Sequence, residues 1–297
     1  MEILNNCTLC PRKCGVDRNT TLGICGAGKN LKIARAALHF WEEPCISGTD
    51  GSGTVFFCGC NLRCVYCQNY EISFGKQGKE ISSSHLGQIF LELQSQGAHN
   101  INLVTPTPYI PHIIEAIDGV RDKIHIPFVC NTGGYETPES IDMLNDYIDI
   151  FLADLKYFNP HIAKKYSNAE DYFDTSMQAL EKMLSNTHPL SFDKNGIMKS
   201  GVIVRHLVLP TQRHDSIKVL ETLASHFGTD NFILSLMSQY TPNGHLELFP
   251  EINRRITTFE YDSVVDAATN LGFKNIYFQE KSSAKQEYTP PFDLSGV

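Results

Sequence analysis

The sequence predicts an α/β chain: a parallel sheet covered by helices, preceded by a small cysteine-rich segment. Three observations carry this expectation. After residue 53, short β-branched or aromatic runs alternate with segments whose apolar residues recur at helical spacing. Several strand runs are almost continuously apolar, as strands buried on both faces must be. Before residue 51 the alternation is missing, and four of the ten cysteines crowd into the first 25 residues.

A first strand is expected over 54–57. Leu86, Ile89, Phe90 and Leu93 then fall on one helical face, ahead of a second strand at 101–104. Ile110, Ile113, Ile114 and Ile117 form the next stripe, and 128–130 the third strand. Thr137 followed by Pro138 opens a helix, an N-cap with proline in the first turn, and Ile141 and Leu144 face inward. A fourth strand at 149–152 and a fifth at 202–209 precede a stripe of Ile217, Leu220, Leu223, Ala224 and Phe227. Runs at 232–236 and 276–278 complete the series. Six or seven such βα units can curl into an open or nearly closed barrel, and periodicity alone leaves a doubly wound sheet equally open. The alternation breaks over 1–50, 187–200 and the tail after 280. The expected division is therefore a cysteine-rich metal-binding segment 1–50, an α/β unit 51–280 and a C-terminal tail 281–297.

Composition narrows the class of function. At 297 residues and 42% hydrophobic, the chain can bury a large core as a single α/β unit. A formal net charge of −8 argues against a nucleic-acid backbone as partner. No apolar stretch approaches the roughly 20 residues that span a bilayer, so no membrane partner is expected. The start has neither the basic nor the apolar region of a signal peptide, and a cytoplasmic enzyme is expected. In that compartment thiols stay reduced, so ten cysteines read as metal ligands rather than disulfides.

The chemistry concentrates in Cys60, Cys64 and Cys67, a C-x3-C-x2-C run directly after the first strand. Three thiolates at this spacing can hold one iron-sulfur cubane, whereas a closed cubane takes four. One iron is left open to a ligand, by the logic that separates catalytic from structural zinc. A zinc knuckle would want a fourth cysteine or histidine at knuckle spacing, and Cys58 lies too close in sequence to serve.

With Tyr66 just before the third cysteine, this run resembles the signature of radical S-adenosylmethionine (SAM) enzymes. The stretch 56–73 and later segments are most similar to the branch related to pyruvate formate-lyase activating enzyme. The resemblance implies a partial (β/α)6, TIM-like barrel, with Tyr66 among the cofactor-binding residues. It also implies a 4Fe-4S cluster whose open iron is chelated by SAM, and reductive cleavage of SAM to a 5'-deoxyadenosyl radical that abstracts hydrogen. In that branch the hydrogen comes from a protein backbone glycine or another peptide site, and a flavodoxin or ferredoxin supplies the electron. Two other readings stay open: radical modification of a small molecule or a different peptide residue, and an iron-sulfur electron carrier with two centres.

Cys7, Cys10, Cys14 and Cys25 make a second group, C-x2-C-x3-C-x10-C, in a glycine-punctuated segment too poor in apolar residues to form its own core. A metal is expected to hold it together, either zinc or a second iron-sulfur cluster, since both accept four thiolates.

In parallel α/β barrels the loops at the carboxyl ends of the strands converge on one mouth. Polar residues stand at those ends: Thr105 and Thr107, Asn131 and Thr132, Asp154 and Lys156, Gln239 and Tyr240, with Arg205 and His206 inside the fifth strand. Strand alternation lets at most one of Arg205 and His206 face the lumen. Arg205 is the choice for a SAM carboxylate, because its planar fork binds carboxylate through two hydrogen bonds. Asp154-Leu155-Lys156 is similar to the Asp-x-Lys element of the activating enzymes, which contacts SAM or a cation beside its carboxylate. Asn131-Thr132-Gly133-Gly134 resembles their Asp-Thr-Asn-Gly turn, with Asn131 in place of the acid. Their Gly-Gly-Glu element is missing; Val104-Thr105-Pro106-Thr107-Pro108 stands there, and the Thr105 hydroxyl is the favoured substitute.

Overall fold

A computed structural model describes residues 2–74, 77–279 and 289–297. The segment through residue 30 is mostly turns, folded on itself by backbone bonds such as Cys7 N to Val16 O and Arg18 N to Leu4 O. The first strand, β1 (Leu31–His39), leads into a four-residue helix, α1 (Pro44–Ser47), and then β2 (Ser52–Phe57). The cysteine loop and a short α2 (Tyr70–Ser73) precede β3 (Lys79–Ile81) and α3 (Ser83–Ser95). From there strand and helix alternate: β4 (Ile101–Val104), α4 (Ile110–Asp118), β5 (Phe128–Thr132), α5 (Pro138–Leu144) and β6 (Ile150–Asp154). Two helices, α6 (Pro160–Ser167) and α7 (Tyr172–Asn186), and a two-residue β7 (Ser191–Phe192) come before β8 (Met198–Leu207). The series ends with α8 (Arg213–Phe227), β9 (Ile233–Met237), α9 (Thr258–Leu271) and β10 (Ile276–Phe278).

β2, β4, β5, β6, β8, β9 and β10 pair in parallel in that order. These are the seven runs the sequence marks. β1 pairs antiparallel with β2, and β3 with β1, so the sheet begins at residue 31 and not at residue 51. Ala34, Ala36 and Ala37 explain why β1 escapes a reading based on β-branched runs, since alanine is depleted in strands. β7 forms a hairpin onto β8 within the stretch expected to be loop.

Among the described residues no pairing joins β10 to β3, so the sheet is open. It is nonetheless strongly curved: side chains from β4, β5 and β8 converge on one carboxylate, that of Glu42. The architecture is a partial barrel. Helices cover its outside, and their starts follow the local chemistry. Thr137 accepts from Ser140 N with Pro138 in the first turn of α5, and Thr257 and Glu260 form a reciprocal capping box on α9.

The lumen has a floor. Cys45 and Ile46 of α1 pack on Val129, Ile150, Leu152, Ile203 and Ile233, which share one parity along their strands. Asn100 fixes this plug by donating to the Ile46 carbonyl at 2.8 Å. At the other edge, the final residues cover β1 beyond its pairing with β3: Leu294 N donates to Ala34 O and Ala36 N to Ser295 O. Residues 281–288 of the expected tail lie outside the described residues. No helix among the described residues is long and apolar enough to cross a membrane.

Candidate active site

The cysteine loop leaves β2 at its carboxyl end, where backbone constraints shape it. Gly59 takes φ +91°, and a Cβ there would lie 2.7 Å from the Cys25 carbonyl. Arg63 also takes a left-handed φ, +54°, in the turn between the first two cysteines. Cys60 N donates to Cys25 O, and Val65 N to Tyr166 O at the end of α6. Asn243 reaches the loop from beyond β9, its Nδ2 bonding Val65 O at 2.9 Å and Cys67 O at 3.3 Å. Three distant segments thus hold the loop still.

Cys64 and Cys67 line a cavity of about 210 Å³ together with Tyr66, Glu42, Asn131, Asp154, Lys156, Arg205, Met237 and Gln239. Thr289 and Pro290 of the tail border it, as does the half-exposed Trp41. Alternation along β8 resolves the Arg205–His206 pair: Arg205 faces the lumen and His206 is buried outside it, its Nδ1 bonded to Leu155 O at 2.6 Å. The carbonyl can only accept, so Nδ1 carries the proton.

Four charges meet in this lumen. Arg205 donates through Nε to Asp154 Oδ1 at 2.8 Å, and through its two terminal nitrogens to Glu42 Oε2 at 3.2 Å and Asn131 Oδ1 at 2.6 Å. Lys156 Nζ donates to Asp154 Oδ2. Glu42 Oε1 accepts from Asn102 at 3.1 Å and Asn131 at 3.3 Å. Burial by itself would raise the Asp154 pKa, but the Arg205 and Lys156 charges override it and hold the carboxyl below its usual range. For Glu42 burial prevails over Arg205, and its pKa is raised. Beside it Glu43, also raised by burial, has an oxygen with no hydrogen-bond partner among the described residues.

Thr105 takes φ +59°, a strained position for a β-branched residue, and its N–H bonds Asn131 O at 2.8 Å; it is not among the cavity-lining residues. Thr107 turns to Glu136 Oε1 at 2.8 Å. Tyr240 packs on Tyr66 and bonds Ile252 O. The structure therefore brings Tyr66, Asn131, Asp154, Lys156 and Arg205 to the cysteines and leaves the two threonines outside. Sequence reasoning missed Glu42. Its only local signal was a pair of acids before Pro44, which any solvated turn can carry.

A family description, the Radical SAM superfamily, matches residues 54–223, more than half of the chain. The chain belongs to the radical SAM superfamily. An uncharacterized protein of Methanocaldococcus jannaschii is 31% identical over 285 residues, covering 93% of this chain and 78% of that protein. Two solved structures share the fold. One is the FeFe-hydrogenase maturase HydG from Carboxydothermus hydrogenoformans (TM-score 0.52, 12% identity, 80% of this chain and 56% of that one). The other is methylornithine synthase (TM-score 0.50, 14% identity, 71% of this chain and 59% of that one). This radical SAM chain spans less than two thirds of the length of either.

Radical SAM membership implies a 4Fe-4S cluster and SAM, and the residues present fit both. The triad supplies thiols and no competing carboxylate, and Cys60 and Cys67 are pushed up to about 11 and about 12 by burial. Such thiols stay protonated until a metal displaces the proton. Facing Cys64 and Cys67 across the cavity, Lys156 and Arg205 can meet an anionic group, and Asp154 and Glu42 a cationic one.

Cys7, Cys10, Cys14 and Cys25 are electrostatic neighbours: Cys10, raised to about 12 chiefly by burial, is raised further by Cys25 and Cys7, and Cys25 by Cys7 and Cys14. Among the described residues no three His, Cys, Asp or Glu side chains are already gathered as a site for a metal ion, and this holds for Cys60, Cys64 and Cys67 as well as for this group. This segment grips the cysteine loop through Arg12, which donates to Asn61 O at 2.8 Å, Ser167 O at 3.0 Å and Asn168 O.

Proposed function

We propose that Cys60, Cys64 and Cys67 hold one 4Fe-4S cluster, and that the chain uses SAM to take hydrogen from a protein or peptide in the manner of a glycyl-radical-enzyme activase. One observation carries the reading: two of the three cysteines and the charged quartet Glu42, Asp154, Lys156 and Arg205 line the same cavity. When bound there with SAM, the reduced cluster supplies an electron for reductive cleavage to methionine and a 5'-deoxyadenosyl radical.

The chain's own residues bind and orient. Lys156 and Arg205 offer charged N–H groups to the SAM carboxylate, a favourable pairing in a poorly hydrated pocket. Arg205 arrives already oriented, because three acceptors from the β1–β2 connection, β5 and β6 hold its fork. Asp154 keeps Lys156 charged: burial pulls that amine's pKa down, and the carboxylate more than restores it. Met237 and Leu207 add apolar surface to the same space. A protein client is supported by the resemblance to the activating enzymes and by Trp41, an exposed aromatic residue at the cavity. A flavodoxin or ferredoxin as reductant, and a cytoplasmic setting, belong to the same proposal.

Anaerobic reconstitution followed by SAM and dithionite tests it. The wild type is expected to form 5'-deoxyadenosine, and Cys64→Ala to lose the cluster and the product together. An electron carrier would form none, and product from Cys64→Ala would refute the ligand assignment. Conversion of a metabolite, with no radical appearing on any protein, would move the substrate to the small-molecule class.

A further inference from the structure

From Tyr66, whose ring borders the cavity, a chain of three hydroxyls runs behind the cysteine loop to Cys64. Ser167 Oγ donates to Cys64 Sγ at 2.9 Å, Tyr157 and Ser167 hydroxyls lie 2.8 Å apart, and Tyr66 and Tyr157 hydroxyls 2.6 Å apart. All three side chains are buried, none more than 5% exposed. We propose that Tyr66, Tyr157 and Ser167 form a one-way hydrogen-bond relay that ends on the Cys64 thiolate and raises the reduction potential of the cluster held there. The inference rests on the placement of that cluster on Cys64.

The direction of the relay follows from counting protons. A metal-bound thiolate has none, so it can only accept, and Ser167 must donate to it. With its single proton spent, Ser167 accepts from Tyr157. Tyr157 then has no second proton to give and accepts from Tyr66. Each bond polarises the next, and the low dielectric of the interior strengthens all three. Hydrogen bonds to cluster sulfurs are among the factors that set iron-sulfur potentials, because a donor stabilises the reduced, more negative form more than the oxidised one.

The geometry leaves the relay little freedom. Ser167 is the last residue of α6, which stops there because Asn168 takes a left-handed φ of +48°. The Ser167 carbonyl is held by Arg12 and the preceding carbonyl by Val65 N. The Tyr66 ring is wedged edge-on against Tyr157, Tyr166 and Tyr240, so neither phenol can swing away. Ser167 and Tyr157 are positioning residues, since they act on the electron acceptor through Cys64 and touch no substrate.

Redox titration of the reconstituted full-length protein, followed by the EPR signal of the reduced cluster, tests the relay. Ser167→Ala is expected to lower the ratio of reduced to oxidised cluster at a fixed donor potential about tenfold, ~59 mV for a one-electron couple. Tyr157→Phe should shift the midpoint in the same direction by less, Tyr66→Phe by least, and Ser167→Thr should restore it. Should Ser167→Ala fail to load iron, Tyr157→Phe decides, since it touches none of the three cysteines. Fully loaded Tyr157→Phe with the wild-type midpoint overturns the relay. A wild type without a cubane signal overturns the cluster placement instead.

Discussion

Arg205 shows how one residue can carry both stability and function in a buried site. Its guanidinium sits between two carboxylates, and Lys156 shares one of them. Removing one partner from a buried pair leaves the other charge uncompensated, which costs about 3–5 kcal/mol where the burial is complete. Asp154→Asn should therefore disorder both cations and weaken SAM binding by about tenfold, ~1.4 kcal/mol, with the cluster intact. Equilibrium dialysis against labelled SAM measures this; an unchanged affinity would make Asp154 a structural ion-pair member only. His206, one residue on, gives a pH prediction. Burial lowers it to about 4, and its unprotonated Nε2 is buried without a partner among the described residues. Between the unfolded value near 6.5 and the folded value of about 4, the unfolded chain binds the extra proton, so stability is present above this window and falls as acid is added. From pH 7.5 to 5.5 the loss from this group is about 1 kcal/mol. Urea titrations of wild type and His206→Gln should diverge by that amount; parallel curves would count against a neutral buried imidazole.

At the scale of elements, α1 decides more than its four residues suggest. By filling the lower end of the lumen it carries Glu42 up against Asn102, Asn131 and Arg205. Ile46 is fully buried in that plug, and Ile46→Ala should cost about 2–4 kcal/mol in chemical denaturation, a transfer loss plus a cavity. A cost under 1 kcal/mol would mean the floor is loosely packed. The seven parallel strands were legible because strands covered on both faces must be almost wholly apolar. β1 and α1 were not. An alanine-rich strand and a helix of one turn have too few periodic positions to stand out, and their pairing partners decide them.

Across the whole molecule, the cysteine-rich segment and the barrel meet at the cysteine loop. Arg12 bonds Asn61 on that loop and the end of α6 at once, stacked over Tyr135. If Cys7, Cys10, Cys14 and Cys25 hold a second centre, as we propose, anaerobically purified protein should contain either about one zinc or iron beyond the first cubane. Cys14→Ala should lose that metal and, through Arg12, loosen the loop enough to reduce cluster loading at Cys60, Cys64 and Cys67. Metal and sulfide analysis of both proteins checks it; wild type with one cubane and no further metal would leave the four thiols a hydrogen-bonded fold of their own.

The Cys60–Cys64–Cys67 spacing was readable from the sequence because three cysteines on one short loop are set by local backbone geometry, and the cluster proposed for them rests on residue type and spacing. Strand alternation likewise told that at most one of Arg205 and His206 could face inward, and the carboxylate-binding fork of arginine, not the alternation, pointed to Arg205. What only the tertiary structure decided are the contacts between segments far apart in the chain: Glu42 with Arg205 across 163 residues, and Ser167 with Cys64 across 103. No periodicity or spacing encodes such pairs, since burial around the curved sheet, and not local propensity, determines which polar groups must find each other away from water.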